Sequence, residues 1–242
     1  MLHFTFYDYA VLGSTNDEAK ALFSDGAGEG TVVRATRQTA GRGRRGRHWV
    51  SEAGNLYCSI ILCPECPLSQ VSQLSFVIAL AVGNTIIPFL AKPDLLSYKW
   101  PNDLLLQKEK VAGILIETES HGGQQAEACI IGIGLNLNSV PNHPAYPVTA
   151  LRNYSTLTLD HEVLFYELLM QIKKLYQIWQ QEGFVPIREA WMERAHGLGQ
   201  EMVITIGTQK VRGQFIGLSP EGALLLKEEN GFVHQFMSAE VL

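Results

Sequence analysis

Seven consecutive residues, Gly41 to Arg47, hold four arginines and three glycines in a 242-residue chain whose formal net charge is −5. From Glu29 to Glu52 there are six arginines, one histidine and no intervening acid. Glycine lets neighbouring backbone N–H groups converge on an anion. Arginine adds paired hydrogen bonds to carboxylate or phosphate. Unliganded, the four guanidiniums repel one another, so the composition predicts a loose loop whose charge is satisfied only by a bound anion. A ligand bearing carboxylate and phosphate would order it as a lid over an acyl phosphate. The spacing Gly41, Gly43, Gly46 also spells G-x-G-x-x-G. A dinucleotide turn needs a helix directly afterwards, and "RHWVSEAGNLY" has no helical apolar spacing. A kinase loop would be followed by a V-A-I-K strand, which does not occur. A nucleic-acid patch would steer phosphates, yet the rest of the chain is acidic and carries no recognised nucleic-acid module. A solvated basic hairpin without a role is the remaining reading.

A second constellation runs from Lys99 to Glu117, "KWPNDLLLQKEKVAGILIE". Trp100-Pro101 favours an extended connection, which presents Asn102 and Asp103 on a tight turn. Asp103 has the chemistry to hold Mg²⁺ on phosphate oxygens. Lys110 leads a strand toward Gly113, where another group can approach closely. Taken singly, Asp103 suits a plain turn and Lys110 a solvated strand end. Joined in this order with "STND" and the arginine loop, they read as parts of one site.

The elements that must position these residues follow from periodicity. "FTFYDYAVLG" reads as a strand, and "STNDEAKALFSDG" as a helix capped by Ser14 or Thr15 and stopped by Gly26. "GTVVRATRQ", "GNLYCSIIL" and "AEACIIGIGLNLNS" read as strands, and the second and third as buried. Residues 68–90 predict one long apolar core helix. Residues 95–120 predict short strands joined by two tight connections, Pro141–Pro147 a loop, and 160–183 an amphipathic helix. Beyond "WMERAHGLGQ" the texture changes to short strands with turns at "SPEG" and "EENG". This predicts a small antiparallel barrel that needs the larger domain to bury one face. The division falls near Gly197, giving domains 1–196 and 197–242.

At 46% hydrophobic and 18% charged the composition is globular. No uninterrupted apolar run reaches the roughly 18 residues of a membrane span, and no signal-peptide pattern opens the chain. A cytoplasmic location is the expectation. Cys63 and Cys66 form one C-x-x-C without a second ligand pair, so free thiols are expected.

Taken together, "STN" at 14–16, "QTAGRGRRGRHW" at 38–49, "KWPND" at 99–103, "KVAGILIE" at 110–117, "GIGLN" at 132–136 and the terminal "GALLL" resemble biotin–protein ligases, also called biotin–[acetyl-CoA-carboxylase] ligases. The resemblance is to the short form, without the N-terminal DNA-binding domain of repressor-ligases. It implies a mixed α/β (α+β) catalytic domain related to lipoate ligases, with flanking helices, followed by an SH3-like β-barrel. It also implies two half-reactions: biotin and MgATP give biotinyl-5′-AMP, and the acceptor lysine of a biotin carboxyl carrier domain then displaces AMP.

Carried onto this chain, the biotin site is Ser14, Thr15, Asn16, Gln38, Arg42, Gly43, Arg44 and Lys110. The adenylate site is Gly41, Arg44, Trp49, Asn102, Lys110 and Asn136, with Asn136 at the adenine and Trp49 anchoring the loop. Lys110 and Arg42 are the candidates to offset the repulsion between carboxylate and phosphate. Asp103 either binds Mg²⁺ or positions the incoming lysine, and Lys99 either meets phosphate or supports the turn. Lipoate or octanoate transfer is the nearest alternative chemistry. Exposed β-edges would permit a homodimer, and a monomer fits equally.

Overall fold

The computed structural model describes residues 2–120, 122–140, 146–206, 209–237 and 239–241. Residues 141–145 of the expected Pro141–Pro147 loop lie outside them.

Seven strands form the main sheet: β1 (Thr5–Leu12), β2 (Thr31–Gln38), β3 (Leu56–Leu62), β4 (Leu96–Lys99), β5 (Asp103–Leu106), β6 (Glu109–Glu119) and β7 (Ala128–Leu135). Their order is β1-β2-β3-β7-β6-β5-β4. Only β1 and β2 run parallel. That pair needs a crossover, and helix α1 (Thr15–Ser24) supplies it. β3 is buried along its whole length, as a run such as "LYCSIIL" must be when both faces of a sheet are covered.

On one face α1 packs Ala19 against Val33, Ile61, Ala128 and Ile130. The other face carries α2 (Leu74–Ile86), α3 (His161–Glu182) and α4 (Val185–Met192), and these share the large core with Ile60, Ile114, Ile131 and Ile133. Asp160 caps α3 by accepting from the N–H groups of Glu162 and Val163.

The expected single helix over 68–90 is divided. A 3₁₀ stretch (Leu68–Gln73) precedes α2, and a second (Ile87–Phe89) follows it. Pro88 has no N–H to continue the α-helical ladder. The segment Leu68–Phe89 is long and apolar enough to cross a bilayer by composition, although polar residues interrupt its apolar runs. Its most apolar 18-residue stretch is 78% buried in the protein interior. α4 was not among the predicted elements. Pro186 lies in its first turn, and Trp191 packs edge-on against Phe76 and stacks with Tyr98, at ring separations of 5.3 and 6.0 Å.

The C-terminal strands are β8 (Glu201–Ile206), β9 (Gln209–Leu218), β10 (Leu224–Lys227), β11 (Val233–Phe236) and β12 (Glu240–Val241). They form an antiparallel sheet in the order β11-β10-β9-β8-β12. Among the described residues β11 and β12 do not pair, so the sheet is open and the expected closed barrel is corrected. β12 has two residues and reaches only Ile204 and Thr205 of β8, too short a strand to close the ring. Its neighbours' buried side chains, including Phe215, Leu218, Leu224 and Phe236, belong to the same core as α2 and α4.

Candidate active site

A cavity of about 460 Å³ opens on the α1 face of the main sheet. Sheet register explains why it is there. Along β7, side chains facing α1 come from Ala128, Ile130, Gly132 and Gly134. Ala128 and Ile130 lie under the helix; Gly132 lies under Asn16 in its first turn, and Gly134 leaves the floor low beyond it. Gly134 pairs with Gly113 of β6, and Gly132 lies between Leu115 and Ser59. The Trp49 indole rests on this glycine floor. A Cβ at Gly134 would lie 2.6 Å from the ring, and one at Gly113 would lie 3.0 Å away. The indole N–H is buried without a partner.

The arginine loop is a short hairpin. Gly43 N–H donates to Arg47 O at 2.7 Å, and Trp49 N–H to Gly41 O at 2.9 Å. A 3₁₀ turn (Arg44–Gly46) forms its tip, with Arg45 at φ 56°. Gly41 is required at the root, since a Cβ there would meet Trp49 O at 2.5 Å.

One end of the cavity is a niche of hydrogen-bonding groups. Gln38 Oε1 accepts from Thr15 N–H at 2.8 Å and from the Thr15 hydroxyl at 3.1 Å. Gln38 Nε2 donates to Ser51 Oγ at 2.9 Å. The Ser59 hydroxyl lies 2.7 Å from Thr15 Oγ1 and 2.6 Å from Asn16 Oδ1. Asn16 Nδ2 donates to Glu117 Oε2 at 2.6 Å.

Arg42 joins this niche rather than standing unneutralised. Its guanidinium donates to Ser14 Oγ (3.1 Å), Asp17 Oδ2 (2.8 Å) and both Glu117 oxygens (2.8 and 3.1 Å). For Arg42 the expectation of a charge satisfied only by a bound intermediate is therefore corrected. The bond to Asp17, with Glu117 beside it, raises its pKa above the ordinary arginine value against the opposing effect of burial.

The other end is cationic. Arg44, Arg45, Arg47, Lys99, Lys108 and Lys110 line it, and Asp103 is the only carboxylate among the lining residues. Lys110 Nζ sits 2.6 Å from Asp103 Oδ1, 5.1 Å from the Trp49 ring centre and 5.6 Å from that of Tyr146. Arg44 donates to Asn102 Oδ1 at 3.3 Å, and Asn102 Nδ2 to Ile114 O at 2.6 Å. Burial lowers the pKa of Arg44, and Arg45 and Arg47 add to the effect. Burial also lowers that of Lys99, with Lys110 and Arg47 reinforcing it and Asp103 opposing. Crowded, partly desolvated cations gain most from an anion placed among them.

Of the expected residues, Ser14, Thr15, Asn16, Gln38, Arg42, Gly43, Arg44, Trp49, Asn102, Asp103 and Lys110 share this cavity wall. Gly41 and Asn136 stand behind it. Asn136 is 1% exposed and donates through Nδ2 to Thr149 O at 3.1 Å, while its Oδ1 is buried without a partner. Sequence reasoning missed Asp17, Ser59 and Glu117. The available signal was a carboxylate and a hydroxyl on otherwise apolar strands. Among the described residues no cluster of three or more His, Cys, Asp or Glu could cage a metal. Asp103, the carboxylate at the cationic end of the cavity, is paired with Lys110. The four cysteines are free, and burial pushes the thiols of Cys58 and Cys129 up to about 12.

A mixed sheet carrying a hydrogen-bonding niche and a cationic cavity on one face has known relatives. Residues 9–136 match the Biotin/lipoate A/B protein ligase family, to which the chain belongs, and residues 197–242 match the Biotin protein ligase C terminal domain. More particularly, the chain is 38% identical over 227 residues to the biotin–[acetyl-CoA-carboxylase] ligase of Paracoccus denitrificans, covering 90% of this chain and 92% of that protein. It is 35% identical over 246 residues to the bifunctional ligase/repressor BirA of Bacillus subtilis, covering 99% of this chain and 73% of that protein. Among solved structures, the biotin protein ligase of Aquifex aeolicus in complex with biotin and ATP superposes with a TM-score of 0.84 at 28% identity, covering 98% and 97% of the two chains.

Proposed function

We propose that this chain is a biotin–protein ligase that activates biotin with ATP and passes it to a lysine of a biotin carboxyl carrier domain. The observation that carries the reading is the polarity of the cavity: a niche of neutral hydrogen-bonding groups at one end and six cations at the other. Biotin has a neutral ureido head and a carboxylate tail, and ATP is a polyanion, so the two fit this gradient end to end.

In the first step a biotin carboxylate oxygen attacks the α-phosphorus, and the bond to pyrophosphate breaks. Lys110 and Arg44 offset the charge of the two meeting anions, and Asp103 holds Lys110 in place. Asp103 would also be the residue to hold Mg²⁺, which would supply further positive charge to the phosphates. Lys99 faces the same phosphates. The hairpin and Trp49 cover the adenylate and keep water from the mixed anhydride. In the second step the carrier amine attacks the acyl carbon, the acyl–oxygen bond to AMP breaks, and the amine proton is released. Asn136, behind the wall, keeps its unpaired Oδ1 for the adenine side.

Residues 1–196 act as the catalytic domain, and residues 197–242 as an SH3-like sheet that closes one rim through Ala239. A cytoplasmic location goes with this reading.

The test is pyrophosphate release from ATP in the presence of biotin, lipoate or RNA. Release with biotin alone is the expected result. Release with lipoate would move the assignment within the family, and salt-sensitive RNA binding without ATP consumption would overturn it.

A further inference from the structure

Glu117 is a half-buried carboxylate, its side chain 24% exposed, at the edge of the niche. It faces the sheet row that holds Ile61 and Ile130, where an apolar residue would pack at less desolvation cost. Its partners give a reason for the carboxylate. Asn16, 3% exposed, has an amide whose oxygen and nitrogen ends have almost the same shape. The Ser59 hydroxyl lies 2.6 Å from Asn16 Oδ1 and 2.7 Å from Thr15 Oγ1, and a hydroxyl can serve either end of an amide, so Ser59 does not choose between them. At the other end the Glu117 carboxylate only accepts, and Asn16 Nδ2 points to it at 2.6 Å. Reversing the amide would set its oxygen against the Glu117 carboxylate, two acceptors with no proton between them. Glu117 thus selects one amide orientation, and it also grips Arg42 at the root of the hairpin.

We infer that Glu117 is a positioning residue for the biotin half of the reaction, fixing the orientation of the Asn16 amide and tying the arginine hairpin to the head-group niche. The inference rests on the function proposed above, in which the niche receives the biotin head. A glutamine at this position can donate to Asn16 Oδ1 and so permits the reversed amide. Arg42 keeps Asp17, 2.7 Å away, as a partner.

The experiment compares full-length wild type, Glu117→Gln, Glu117→Asp and Gln38→Ala in pyrophosphate release, with biotin and ATP varied separately. Glu117→Gln is expected to raise KM for biotin about tenfold, the scale of one mispaired buried polar group, while KM for ATP and kcat stay within about twofold. Glu117→Asp, which still only accepts, should recover part of the loss. If Gln38→Ala weakens biotin and Glu117→Gln does not, the positioning role is overturned and the niche stands. If neither variant changes KM for biotin, the head-group reading itself falls. An equal loss in KM for ATP and kcat would make Glu117 merely structural and overturn the inference. Should Glu117→Gln lose the wild-type melting transition, the comparison falls to Glu117→Asp, whose shorter arm draws the carboxylate away from the Asn16 amide. A rise in KM for biotin alone supports the inference, and a shared change overturns it.

Discussion

Lys110 reaches the cavity because of a backbone irregularity. In a regular strand, residues 110 and 113 would point to opposite faces of the sheet. The pairing of β5 with β6 shifts register, with Leu104 opposite Ala112 and Leu105 opposite Lys110. The extra residue, Val111, turns Lys110 onto the face of Gly113, and such bulges re-aim side chains beside active sites. Alternation alone could not reveal this, whereas the motif order could. The carboxylates were less legible still. Asp17 had the look of an ordinary acid in a first helical turn, and Glu117 lies 75 positions from the Arg42 it binds. Removing Lys110 takes out the partner of Asp103 in the cationic end of the cavity and leaves Asp103 beside open cavity rather than apolar core. Lys110→Ala is therefore expected to fold normally and to lose adenylate formation by about 10²- to 10³-fold, as for loss of one preorganised transition-state donor. Near-normal biotin-dependent pyrophosphate release from a folded Lys110→Ala protein would remove Lys110 from the mechanism.

Among the elements, legibility followed burial. β3 and β7 are continuous apolar runs because both faces of the sheet are covered, and residues of that kind admit few other interpretations. α2 was recognisable as a core helix, but its ends depend on local proline chemistry, and α4 is too short for its apolar spacing to stand out. The arginine hairpin was legible by composition and not by contacts. Its anchor is Trp49, and the anchor's seat is the in-register pair Gly113 and Gly134. Gly134 of "GIGLN" therefore acts through the shape it leaves for the indole, while Gly132 makes room for the Asn16 amide. In Gly134→Ala the new methyl carbon would stand 2.6 Å from that ring, so Trp49 must leave its seat and the hairpin loses its fastening. The sheet itself tolerates alanine, so the fold should persist. The expected outcome is faster escape of biotinyl-AMP, read as biotin on lysines of a bystander protein such as albumin by mass spectrometry. Labelling that stays confined to the carrier domain would show that the seat does not hold the lid.

At the scale of the whole molecule, the change in texture near Gly197 suggested a small domain, and its strands and turns were readable one by one. What the strand patterns could not supply was the other half of its core. The inner face of the open sheet packs through Phe215, Leu218, Leu224 and Phe236 into the core that contains Phe76, Phe184 and Trp191. Trp100 Nε1 donates to Gly222 O at 3.2 Å across the same junction, and Gly222 sits at φ 92° with room for a Cβ only 3.0 Å from Phe76. His196 and Ala239 bring this junction to the cavity wall. A sheet that shares its core cannot unfold without exposing the core of its neighbour, so the two parts should lose structure together. Denaturant unfolding followed by tryptophan fluorescence, which reports on all four tryptophans of the chain, Trp100 and Trp191 at the junction among them, and by circular dichroism, which reports on the whole chain, should give one coincident transition. Phe215→Ala, which empties a fully buried ring position in the small sheet, should lower the stability of that single transition by about 3–5 kcal/mol instead of splitting it. Two separated transitions, with the loss confined to one of them, would show that the terminal sheet is an independent unit and that the rim it lends to the cavity is only loosely attached.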